Sequence, residues 1–285
     1  YNNRGTITFA SDLENTATVE FFGNKAGNGT NNGSGGAIYN NKTITFNNLT
    51  TKFTNNESNF RSGAIYNYGN NGIITFANNS NNSIVEFSGN KTTNYGGAIF
   101  NSAGQISFAN DSTVFSNNTT SSEQYSGGGA IRNAGTLTFT GNTISFESNE
   151  ANGGITGFGG AIYNEDNASI TFDNNADNTA TVRFTNNKAT RQGGAIYNGI
   201  NDGDTILTFN SQAEFKDNEL TDTDPDSTGA AIYNNNGASI TFNNKVLFSN
   251  NKLANGTKND IYNDGIVTFN SDTTLDGGII NSECV

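Results

Sequence analysis

The sequence predicts an all-β fold, a parallel β-solenoid of about eight coils with roughly 32 residues and three short strands in each. Three observations lead there: a motif that recurs at a fixed interval, strand-like alternation inside it, and a composition poor in helix formers. Leu, Ile, Val and Phe make only 59 of the 285 residues, close to the level at which chains stay disordered. Against disorder stand a charged fraction of 14%, a single Pro, and 21 Phe and 23 Ile placed at regular intervals. Asn contributes 54 residues and Gly 34, so turn formers abound and a mainly helical fold is excluded.

The clearest repeated mark is GGAIYN and its variants, at 35–40, 62–67, 96–101, 128–133, 159–164, 193–198 and 229–234, with a degenerate copy at 260–263. Ile38 to Ile261 spans seven steps, which gives about 32 residues a step. A second mark follows each copy: an apolar residue, Thr or Ser, then Phe, with the Phe at 46, 76, 108, 139, 172, 209, 242 and 269 and an orphan first copy at Ile7, Thr8 and Phe9. The third is Phe-x-x-Asn, from Phe21/Asn24 to Phe248/Asn251. Segments such as Val85-Glu86-Phe87 alternate apolar and polar, the period of a half-buried strand, and Asn, Gly, Ser and Asp separate them. Such a unit cannot bury its apolar face alone, so neighbouring repeats stack like on like and the Phe columns become the core. The varying gap between the second and third marks places insertions at the bends, and the whole of 1–285 reads as a single solenoid.

In GGAIYN the Ile and Asn are two apart and share a face, which we assign inward. The Asn residues (Asn40, Asn67, Asn101, Asn133, Asn164, Asn198, Asn234 and Asn263) are then expected to form a structural ladder of stacked amides. The Ala and Tyr positions point outward on this reading, because Asp260 replaces Ala and Arg132 replaces Tyr, and neither suits a dry core without a partner. The result is an exposed aromatic column of Tyr39, Tyr66, Phe100, Tyr163, Tyr197, Tyr233 and Tyr262, interrupted by Arg132. Regularly spaced surface aromatics suit a protein or sugar contact face; equally, stacked rings stabilise a sheet face or lie beneath a loop.

Chemistry is tightly bounded. With no His and one Cys, Cys284, neither a Ser/His/Asp or Cys/His constellation nor an internal disulfide can be built, and Cys284 reads as an inert tail thiol. Asp222, Asp224 and Asp226 alternate in one loop, and Asp202 and Asp204 flank Gly203. Alternate oxygens on a turn can hold calcium, and a solvated acidic bend explains them as well. Many Asn-x-Ser/Thr triplets, such as that at Asn48, are expected from the Asn content alone. A net charge of −12 with 14 scattered Lys and Arg argues against nucleic acid or an anionic membrane as partner. No apolar run reaches a membrane span, and the opening at Tyr1 reads as a piece of something larger. No cofactor is called for.

The paired GGAI and FxxN motifs resemble the repeats of chlamydial polymorphic membrane proteins and related bacterial autotransporters, over nearly the whole chain. The heavy Asn content, the scarcity of Cys, Arg132, Asp260 and the missing translocator barrel are departures. The resemblance implies a right-handed coil and a passenger domain of a type V secretion system, on the bacterial outer membrane surface or secreted, that attaches to host cells or to other bacteria. The expected function is a non-enzymatic adhesin whose partner is a host surface protein or glycan, joined to a membrane only through a translocator. A carbohydrate-active β-helix and a self-associating aggregation protein are the alternatives. Enzymes interrupt a repeat to gather unlike residues, whereas here like residues recur.

Overall fold

The computed structural model describes residues 1–11, 16–28, 32–77, 80–123, 126–154, 156–165, 167–199 and 203–282. Asp202 and Cys284 lie outside them. The chain coils as a parallel β-solenoid of about seven turns, about 32 residues apart, and no helix occurs among the described residues. The strands that carry the GGAIYN Ile and Asn, from Ile38–Asn40 onward, together with Ile279–Asn281, form one nine-stranded sheet, the Asn sheet. Strands from Thr6–Phe9 to Ile266–Phe269 form a second, and those from Thr18–Phe22 to Thr273–Thr274 a third. A fourth sheet adds to the three expected: seven two-residue strands, Lys25–Ala26 to Glu219–Leu220, just after the FxxN corner.

Like residues stack on like. Phe46 pairs with Phe76 and Phe76 with Phe108, while Phe53 pairs with Phe87 and Phe87 with Phe115. Within a column the rings lie face to face, as Phe172 does on Phe139 at 4.9 Å and Phe209 at 5.0 Å. Between columns they meet edge to face, Phe172 and Phe184 at 5.8 Å. Both geometries suit the aromatic quadrupole, and the offset of one strand pair sets the spacing.

Two amide ladders run the length of the coil stack. On the Asn sheet Nδ2 of each Asn donates to Oδ1 of the next, from Asn40 to Asn67 at 2.9 Å, through Asn101, Asn133, Asn164 and Asn198, to Asn234 and Asn263. At the FxxN corner, both the backbone N–H and Nδ2 of Asn118 donate to Oδ1 of Asn149, while Nδ2 of Asn149 also donates to the Phe115 carbonyl. The residue before each corner Asn is left-handed: Gly23, Asn55, Gly89, Asn117, Ser148, Asn186, Asp217 and Asn250 all have positive φ. Only residues that tolerate that region occupy the position.

The Ala positions correct the sequence reading. Ala64, Ala98, Ala130, Ala161, Ala195 and Ala231 are fully buried in the core cluster, not outward. Strand alternation does not reach them, because a bend precedes the Ile: the N–H groups of both Ala161 and Ile162 donate to the single carbonyl of Ala195. The two glycines before them serve that bend. Gly159 has φ of 63°, and a Cβ on Gly160 would sit 2.1 Å from the Gly194 carbonyl oxygen of the next coil. Asp260, expected outward, is fully buried as well. It has partners: Asn251 Nδ2 donates to Oδ1 at 2.9 Å, and the Gly277 and Gly278 N–H groups donate to Oδ2. The corner ladder thus ends on a carboxylate.

Outward positions of the fourth sheet carry alternating charge. Lys25, Glu57 and Lys91 pair in register, and farther along Glu150, Lys188 and Glu219 do so, with Lys252 bridged to Glu219. Lys25–Glu57 and Lys188–Glu219 are ion pairs of 2.9 Å.

Candidate functional site

The Tyr positions point away from the Phe core, yet the column is not the exposed one expected. Tyr66, Phe100, Tyr163 and Tyr197 are 3 to 7% exposed, and Tyr39, Tyr233 and Tyr262 are half-buried. A second row covers them, built from the residue before each Gly-Gly or its variant: Ser34, Arg61, Tyr95, Gly127, Phe158, Gln192 and Thr228, bridged one coil to the next. Phe158 stacks on Tyr197 at 4.9 Å and meets Tyr163 at 6.3 Å. Its members differ from coil to coil, so a search for repeated residues passes over it. The signal available was the bulk of Arg61, Tyr95 and Phe158 at one motif-relative position.

Two arginines of this face, Arg132 and Arg61, are held by rings. The Arg132 guanidinium lies 3.9 Å over Tyr95 and 4.6 Å from Tyr163, and its Nε pairs with the Glu165 carboxylate. Arg132, out of place for a Tyr in the motif, is therefore compensated on three sides. Arg61 lies 4.5 Å over Phe60, and its Nη1 donates to the Tyr66 hydroxyl at 3.2 Å.

Where the covering row turns from Phe158 to Gln192 and Thr228 the face opens. Phe158, Arg191, Gln192, Pro225, Asp226, Thr228, Tyr233 and Tyr262 line a cleft of about 490 Å³. Tyr233 stacks on Tyr197 at 5.0 Å and on Tyr262 at 4.8 Å, with planes 3° and 13° apart. Burial first, then the charges of Tyr262, Asp264 and Asp226, pushes the Tyr233 phenol up to about 12.

The acidic loop forms one wall. Asp222 accepts the Asp224 N–H and Asp224 accepts that of Asp226, while Arg191 Nη2 lies 3.3 Å from Asp224 and 3.8 Å from Asp226. The loop's carboxylates are thus engaged as turn caps and as Arg191 partners. Among the described residues no group of three or more Asp, Glu, Cys or His side chains is placed to hold a metal. The structure brings two separately expected features, the end of the Tyr column and the loop at 222–226, to one place. Tyr39 lies at the far end of the column, with Tyr1 at 4.9 Å and Tyr66 at 5.0 Å.

The family model of the Chlamydia polymorphic membrane protein repeat matches residues 84–102, 112–134 and 181–199. In three coils this chain resembles the chlamydial polymorphic membrane proteins. Each matched polymorphic membrane protein repeat runs from an FxxN strand, over the corner ladder, to the Asn of the Asn sheet. The repeat is thus one structural path between the two ladders, and the matches cover about a fifth of the chain. No curated protein and no solved structure matches it.

Proposed function

We propose that this solenoid is a non-enzymatic adhesive region of a bacterial surface protein, the passenger of an autotransporter, and that it attaches the bacterium to other cells through a protein or glycan on their surface. The observation that carries the reading is the polymorphic membrane protein repeat, matched in three coils of a rod whose core and ladders are the same from end to end. Such a rod serves as a spacer and a contact surface. The opening at Tyr233 and Tyr262, where the covering row ends, is the place on it that a partner can enter.

Binding of the labelled chain to cultured host cells tests this. Saturable binding that falls at least about tenfold with Tyr233→Ser and Tyr262→Ser together is the expected result, as aromatic anchors at contact faces commonly carry 2 kcal/mol or more. Absence of saturable binding overturns the reading. Tyr163 and Tyr197 are unsuitable for this test, since both are buried and their loss would disturb packing.

A further inference from the structure

We propose that the cleft at Tyr233 and Tyr262 receives an arginine side chain of the partner protein. The inference rests on the adhesive reading and gives it a ligand chemistry. Its warrant lies three coils from Tyr233 on the same face, where Arg132 occupies a site made of two rings and one carboxylate: Tyr95, Tyr163 and Glu165. Arg61 shows that the face holds a guanidinium by rings and a phenol oxygen alone. The same parts recur at the cleft, with rings from Phe158, Tyr233 and Tyr262 and a carboxylate from Asp226.

Among the described residues Arg191 is the one cation that lines the cleft, and no second guanidinium plays the part of Arg132 there. The motif position that Arg132 fills is taken by Tyr233 and Tyr262 themselves, and Arg191 is drawn to the loop wall, nearer Asp224 than Asp226. The Asp226 side chain is 83% exposed. Charged groups about the cleft are Arg191 against Asp222, Asp224, Asp226 and Asp264, in a chain of net charge −12, so the potential favours a cation. A planar guanidinium pairs side-on with a carboxylate, which an ammonium does less well.

Nα-acetyl-arginine amide, titrated into the whole chain and followed by NMR, is the probe, with the isosteric neutral Nα-acetyl-citrulline amide beside it. Saturable shifts at Gln192, Thr228, Tyr233 and Tyr262 are expected, weakened by salt, with affinity about fivefold higher for the arginine than for the citrulline compound. Asp226→Asn should lower the arginine affinity by about the same factor, while Asp272→Asn, at an exposed position elsewhere, leaves it unchanged. Equal shifts with citrulline, shifts mapping elsewhere, or an Asp226→Asn chain that folds by circular dichroism and binds arginine undiminished would each overturn the proposal. Saturable cell binding together with any of these leaves the adhesive reading standing and removes only its arginine ligand.

Discussion

Phe172 sits fully buried between two parallel rings and two perpendicular ones, so Phe172→Ala removes contacts on every side. Chemical denaturation should show a loss of about 3–5 kcal/mol, from transfer and cavity terms together. A loss under about 1 kcal/mol would mean that the column is not the core. Asp260 carries a prediction of a different kind. Burial raises its carboxyl above the ordinary 3.8, against the lowering by Asn251, Gly277 and Gly278. A group raised in the fold contributes stability that is whole below its unfolded value and is lost as pH rises through its folded one. Asp276, held low first by its hydrogen bond from Lys258, works in the opposite sense, losing its contribution as pH falls. Urea midpoints compared across the acid range should therefore fall less with rising pH in Asp260→Ala than in the unaltered chain. Parallel pH profiles for the two proteins would assign Asp260 an ordinary titration.

The corner is the element on which the stack depends. Asn149→Ala removes the acceptor of two Asn118 donors and the donor to the Phe115 carbonyl, all buried. Leaving them unpaired should cost about 3 kcal/mol by thermal or urea unfolding. One residue earlier in the preceding coil, exposed Asn117 has φ of 55°: Asn117→Gly should be nearly neutral and Asn117→Ala should cost about 1 kcal/mol. The Phe columns, the Ile positions and the period were legible because each coil repeats them. The left-handed corner also leaves a trace in the sequence, in the restriction of that position to Gly, Asn, Ser and Asp. Ala was misplaced because alternation holds only inside a strand, and the bend that puts two N–H groups on one carbonyl lies just outside. The cleft was not legible at all. It depends on where an irregular covering row becomes small and on a loop inserted in one coil, and neither leaves a periodic trace.

For the molecule as a whole, stacking like on like makes stability close to a sum over coils and their interfaces. Deleting residues 102–133 joins Asn101 to Ala134 in the register that Asn133 held, 32 residues on, and should leave a folded, shorter solenoid with a lower melting temperature. Deleting only 102–117 places unlike segments against one another and should abolish cooperative unfolding by circular dichroism. Equal behaviour of the two would refute the coil register. The same sameness gives the chain a proofreading problem while it folds, since neither the amide ladders nor the rings can tell the next coil from the one after it. Toward either end of the stack the alternating charges can: if a coil were skipped there, Lys25 would face Lys91 or Lys188 would face Lys252, so two short runs of weak surface ion pairs, parted by Thr119, act as page numbers for layers that otherwise read alike.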